Sequence, residues 1–153
     1  MKFVIQRVKK AEVVVENAVV GKIDHGFLVL IGITHTDNQQ IADKMISKLV
    51  NMRIFEDENE KMNLALKDVG GSLLLVSQFT LYSNCKHGNR PEFLSAAKPV
   101  QAEELYNYIV EECRKTGIKV ETGIFRADMQ VSSINNGPVT IILDSANDLK
   151  LAS

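Results

Sequence analysis

With 153 residues, 45% of them hydrophobic and 24% charged, the chain has an ordinary globular composition and is long enough to bury a core. Its formal net charge of −1 excludes a nucleic-acid binder that works through a strongly basic global field. Lys2, Arg7, Lys9 and Lys10 break up any apolar leader, and Phe27–Ile33, the best apolar run, is far short of the ~20 residues that cross a bilayer. One cytoplasmic domain over residues 1–153, without membrane association, is expected.

In chain order, Phe3-Val4-Ile5 and Val13-Val14-Val15 cluster β-branched and aromatic residues, Asn17 breaks the run, and Val19-Val20 resumes it: strand, turn, strand. Phe27–Ile33 is too apolar for a half-exposed strand and predicts burial on both faces. A helix follows, with Thr36/Gln39 or Asp37/Gln40 offering a capping box and Ile41, Met45, Ile46, Leu49 and Val50 forming an apolar stripe. Residues 56–63 read as a hairpin or loop; Asp57-Glu58-Asn59-Glu60-Lys61 lacks the central glycine and terminal glutamate of a calcium loop. Asp68-Val69-Gly70-Gly71 reads as a turn. Leu73–Val76 is a buried strand, and Pro99 introduces a second helix near 101–116 with Leu105, Ile109 and Cys113 on one face. Residues 118–134 and 139–144 return to strand. Two main helices among many strands, with no βαβ rhythm, predict an α+β fold built on a largely antiparallel sheet or barrel. Open strand edges in such a sheet would favour self-association.

Cys85 and Cys113 have no metal-ligand spacing around them and are expected as free thiols. No HExxH, Cys/His cluster, GxSxG elbow, Walker or GxGxxG pattern occurs, so neither a metal nor a cofactor is expected. Two segments stand out instead. Ser77-Gln78-Phe79-Thr80-Leu81-Tyr82 follows the buried run Leu73–Val76, and Asn135-Asn136-Gly137-Pro138-Val139-Thr140 leads into Val139–Leu143. Polar side chains beside a buried strand must find partners or cost free energy, and a Gly-Pro pair adopts backbone geometry denied to other dipeptides. Thr80 or Ser77 could serve as a nucleophile, but no base is adjacent, and His25, His35 and His87 form no triad in sequence. Lys86, His87, Arg90 and Lys98 are the local cations available to a phosphate.

Taken together, the two segments resemble the paired signature motifs of the D-aminoacyl-tRNA deacylases. Met1–Val8, Lys86–Pro91 with Phe93 and Ala96-Ala97, and the length of the chain are similar to that family as well. Ser77-Gln78-Phe79 points to its D-specific branch. The resemblance implies a homodimeric, metal-independent esterase that cuts D-amino acids from the 3′ end of tRNA, with some activity on glycyl-tRNA. It implies that the 2′-hydroxyl of the terminal adenosine activates water, while backbone amides near Phe79-Thr80 hold the oxyanion. Ser77, Gln78, Phe79 and Thr80 would then form the catalytic segment. Gly137-Pro138, cis in that family, would enter the partner's active site and exclude L-amino acids sterically. The resemblance further assigns Arg7 to supporting that loop and Met129 to the adenine pocket, while the local basic stretch makes Lys86 and Arg90 the residues expected to meet substrate phosphates. A small-ester hydrolase using Thr80 and a non-catalytic RNA-end-binding protein are the rival readings.

Overall fold

The computed structural model describes residues 1–150. Its spine is β1, Lys2–Val15, a strand long enough to serve several partners. The Glu16-Asn17 turn, with both residues at positive φ (48° and 64°), returns the chain into β2, Ala18–Ile23, antiparallel to the far half of β1. β3, Gly26–Gly32, pairs antiparallel with the near half of β1, from Lys2↔Gly32 to Val8↔Gly26. On the other edge of β1 lies β8, Gln130–Asp144, also antiparallel. The predicted strand-turn-strand and the doubly buried third strand are both present.

The remaining pairings differ from expectation. β6, Ser72–Ser77, runs parallel to β3, and β7, Val120–Thr122, runs parallel to β6. Parallel neighbours need long crossovers. The first carries α1 (Gln39–Asn51), the small hairpin of β4 (Phe55–Glu56) and β5 (Met62–Leu64), and one-turn α2 (Leu66–Val69); the second carries α3, Pro99–Lys115. A βαβ arrangement therefore exists, hidden in sequence because each crossover also holds loops. A last short helix, α4 (Ser145–Asp148), follows β8. The class is α+β, with the sheet curling until β2 lies alongside β7. Gly21 makes that approach possible, since a Cβ there would overlap the Thr122 carbonyl.

Alternation along the strands divides the core in two. Phe3, Ile5, Phe27, Val29, Leu73 and Leu75 face α1 and α3, whose Met45, Leu49, Leu105 and Ile109 complete one cluster. Val8, Val13, Leu28, Leu74 and Val76 fill the barrel interior. Each such buried aliphatic side chain stabilises by about 1.5–3 kcal/mol. The cap of α1 is Asn38, whose Oδ1 accepts from Ile41 N–H at 2.9 Å, and not Thr36 or Asp37. Asp37 is engaged elsewhere: its carboxylate accepts from the buried Met1 ammonium at 2.9 Å and from Thr34 N–H at 2.8 Å. Both cysteines are free, Cys85 exposed and Cys113 buried. Among the described residues no helix is long and apolar enough to cross a membrane.

Candidate active site

The central strand β6 delivers the first motif. Leu73–Val76 is fully buried between β3 and β7, which fixes where the chain emerges at Ser77. There the chain turns into a short 3-10 segment, Phe79–Leu81. Gln78 N–H donates to Ile31 C=O at 2.7 Å, Leu81 N–H to Gln78 C=O at 3.3 Å and Tyr82 N–H to Phe79 C=O at 3.0 Å. The Phe79 and Thr80 amides open the turn and meet no acceptor among the described residues, as the first amides of a helical turn must unless something outside it binds them. Gln78 Nε2 donates to Thr80 Oγ1 at 2.5 Å, so the Thr80 hydroxyl is held by an amide, not by a base. Phe79, 55% exposed, stands edge-on to Phe93 with ring centroids 5.3 Å apart.

Ser77, Gln78 and Phe79 line a cavity of about 740 Å³, the size of a small-molecule site. Its other walls come from the end of β3, from the Phe93–Lys98 segment and the first turn of α3, and from the β7–β8 loop with Phe125, Arg126 and Met129. Met129 therefore lines the same cavity as the first motif. The ionisable residues on the lining are His35, Lys98, Arg126 and Asp128. His35 Nε2 lies 2.7 Å from Leu94 C=O, which ties the ring to the loop backbone. Among the described residues, no cluster of three His, Cys, Asp or Glu side chains is placed to hold a metal.

The second motif lies within β8 and outside this cavity. The ladder with β1 stops at Val8↔Asn135 and resumes at Gln6↔Thr140, so the chain between bulges out of the sheet. Asn135 clamps the excursion: its Oδ1 accepts from Val139 N–H at 2.8 Å and its Nδ2 donates to Thr140 Oγ1 at 3.0 Å. Val139 anchors in the core while Gly137 and Pro138, joined by a cis peptide bond, are exposed. Arg7 holds the base of the loop from below. It is only 5% exposed, and its Nε donates to Asn136 C=O at 2.9 Å while Nη1 donates to Ile54 C=O at 2.7 Å. The fork joins the Gly-Pro loop to the segment leading into β4.

A family model described as D-Tyr-tRNA(Tyr) deacylase matches residues 4–144, which includes both motifs. The chain belongs to the D-Tyr-tRNA deacylase family. Relatives named D-aminoacyl-tRNA deacylase include one from Clostridioides difficile (strain 630), 51% identical over 95% of this chain and 98% of its own, and one from Pseudoalteromonas translucida (strain TAC 125), 55% identical over 94% and 99%. A solved structure titled c-Myc DNA Unwinding Element Binding Protein superposes with a TM-score of 0.88 at 41% identity, covering 94% of this chain and 98% of that one. A probable eukaryotic D-amino acid tRNA deacylase shares the fold at 16% identity with a TM-score of 0.80, over 93% and 97%.

In this member of the deacylase family, Lys86 and Arg90 sit on an exposed loop between the Asn84↔Glu92 bridge residues, away from the cavity lining. Thr80 lies one residue beyond the lining. Phe125 and Arg126 line the cavity but carry no local signal in the sequence, because nothing in their spacing says that the β7–β8 loop converges with the Phe93 segment, which the resemblance marks without placing it at a site. Asn135 was legible as part of the motif, but its clamp emerges only with the bulge.

Proposed function

We propose that the chain hydrolyses the ester linking a D-amino acid to the 3′ end of tRNA, releasing the D-amino acid and tRNA with a free 3′-hydroxyl. The observation that carries this reading is the pair of unengaged amides at Phe79 and Thr80, at the mouth of a cavity lined by Ser77, Gln78 and Met129, in a member of the deacylase family. Water attacks the ester carbonyl carbon, and the carbonyl oxygen takes up negative charge. Preorganised amide donors lower that barrier without a strong base. The substrate's 2′-hydroxyl assists deprotonation of the water, and collapse breaks the bond to the 3′ oxygen, which takes the proton. Gln78 positions the turn through its bond to Thr80.

Chiral selection falls to Gly137-Pro138. The loop is exposed, supported by Arg7 and absent from its own chain's cavity, which suits delivery to the cavity of a second copy in a homodimer. An L side chain would collide with its main-chain carbonyls, while a D side chain would point away. Glycine has no side chain to reject, so glycyl-tRNA is a further substrate.

The test is paired deacylation of D- and L-tyrosyl-tRNA by the purified, chelator-treated protein, with sedimentation at the assay concentration. Loss of the D ester alone, by a dimer, is expected. Loss of both esters would remove the Gly137-Pro138 filter, and a D-selective monomer would remove the partner's part in it. Loss of neither, with tRNA still bound, would leave an RNA-end-binding protein. Activity on nitrophenyl esters alone would favour a small-ester hydrolase.

A further inference from the structure

We propose that Lys98 and Arg126 form a phosphate-binding rim on the cavity, gripping the phosphodiester backbone of the single-stranded RNA end next to the acylated nucleoside. The inference rests on the tRNA-ester reading above and assigns RNA capture to residues outside both motifs. Lys98 comes from the segment that enters α3, tied to the barrel by Ala97 N–H donating to Ile33 C=O at 2.9 Å. Arg126 comes from the β7–β8 loop, so both cations reach one cavity from segments remote in sequence. Both are exposed, and neither makes an ion pair or side-chain hydrogen bond among the described residues. Asp128 is the one carboxylate on the lining, leaving the cations in excess there although the chain as a whole carries −1. Phe79, Phe93 and Phe125 add aromatic faces, the combination that binds single-stranded nucleic acid through stacking plus backbone charge.

The backbone at Arg126 points the same way. Ala127 N–H donates to Ile124 C=O at 3.1 Å, closing a four-residue turn in which Arg126 holds the third position with φ 68°. That position in such a turn favours glycine or asparagine. An arginine there strains its backbone, while its guanidinium has no partner among the described residues. A residue that strains its turn and leaves its charge free at the lip of a cavity is placed for a ligand.

The test compares the unaltered protein with Lys98→Gln, Arg126→Gly and the double variant on D-tyrosyl-tRNA and on D-tyrosyl-adenosine, which has the ester but no phosphate. The double variant should raise KM for the tRNA about tenfold or more at unchanged kcat, and leave D-tyrosyl-adenosine hydrolysis as it was. The slope of log KM against log salt should fall by about 0.7 for each phosphate that is no longer neutralised. Arg126→Gly should fold with equal or higher Tm, which separates weakened binding from damaged structure. Unchanged KM for the tRNA, or equal losses on both substrates, overturns the rim. Should the unaltered protein cleave neither substrate, the catalytic reading fails, while the rim still faces a direct measurement. Uncharged tRNA binding weakened by the double variant would support it, and equal affinity would overturn it.

Discussion

Arg7 is one of three polar or charged residues buried among the described ones, and its position is tolerated only because its fork meets two carbonyls. Its contact with Glu56, 3.7 Å to a half-exposed carboxylate, adds little. Arg7→Lys keeps the charge but cannot serve both carbonyls. It should lower stability by about 1–3 kcal/mol in urea denaturation and narrow the ratio of D- to L-tyrosyl-tRNA cleavage; Glu56→Gln should change stability by less than about 1 kcal/mol. Thr80 offers a second residue-scale test. Its hydroxyl is engaged by Gln78 and faces no base, so Thr80→Val should reduce kcat by less than about tenfold, below what an acid–base group contributes. A loss of about a thousandfold with intact tRNA binding would make Thr80 a participating side chain.

At the scale of elements, β8 shows how a functional loop is carried by a strand. The sequence reads as strand, break, strand around Gly137-Pro138; in the structure both halves belong to one ladder on β1, and the motif is the bulge between them. Gly137 has φ 140°, and a Cβ there would lie 2.8 Å from Val139 Cγ2 and 3.0 Å from Val139 N. Gly137→Ala should therefore destabilise by about 1–3 kcal/mol and let measurable L-tyrosyl-tRNA cleavage appear. Asn135→Ala, which removes the clamp, should cost about 1 kcal/mol with the same decline in discrimination. The apolar stripe of α1 and the face of α3 were legible because periodicity is a local signal. The capping residue of α1 was not. Asp37 satisfies the sequence rule for a cap as well as Asn38 does, but Asp37 is taken by the buried ammonium of Met1, which no local pattern reveals.

Over the whole molecule, two buried polar arrangements set the response to mutation and pH. Met1's ammonium donates to Asp37 Oδ1 at 2.9 Å and to Ser145 Oγ at 2.8 Å, joining the start of β1, the entrance of α1 and the start of α4. Asp37→Asn leaves that charge buried without its partner and should cost about 3–5 kcal/mol, read as a lower urea midpoint. On the same helix-covered face of the sheet, burial pushes the Cys113 thiol up to about 12 from 9.0, and burial pushes the Tyr106 hydroxyl, which donates to Leu75 C=O at 2.7 Å, up to about 12 from 10.0. Between the unfolded and folded values the folded state holds more protons, so stability falls as pH rises. The contribution is complete below about pH 9 and is lost as pH rises toward 12. Urea midpoints should decline from about pH 9, and Cys113→Val should delay that decline toward pH 10. A midpoint that stays flat from about pH 9 to about pH 12 would contradict this.

The sequence by itself determined the α+β class, the main strands and helices, and the two motifs, because side-chain periodicity, turn chemistry and polar residues beside buried runs are properties of neighbours along the chain. Tertiary structure alone decided that β3, β6 and β7 run parallel, that Asp37 serves Met1 instead of capping α1, and that Lys98 and Arg126 meet at one cavity while Lys86 and Arg90 do not line it. Each of these depends on which distant segments come together when the sheet closes, and free energy there is set by burial and pairing across the fold, which local sequence does not encode.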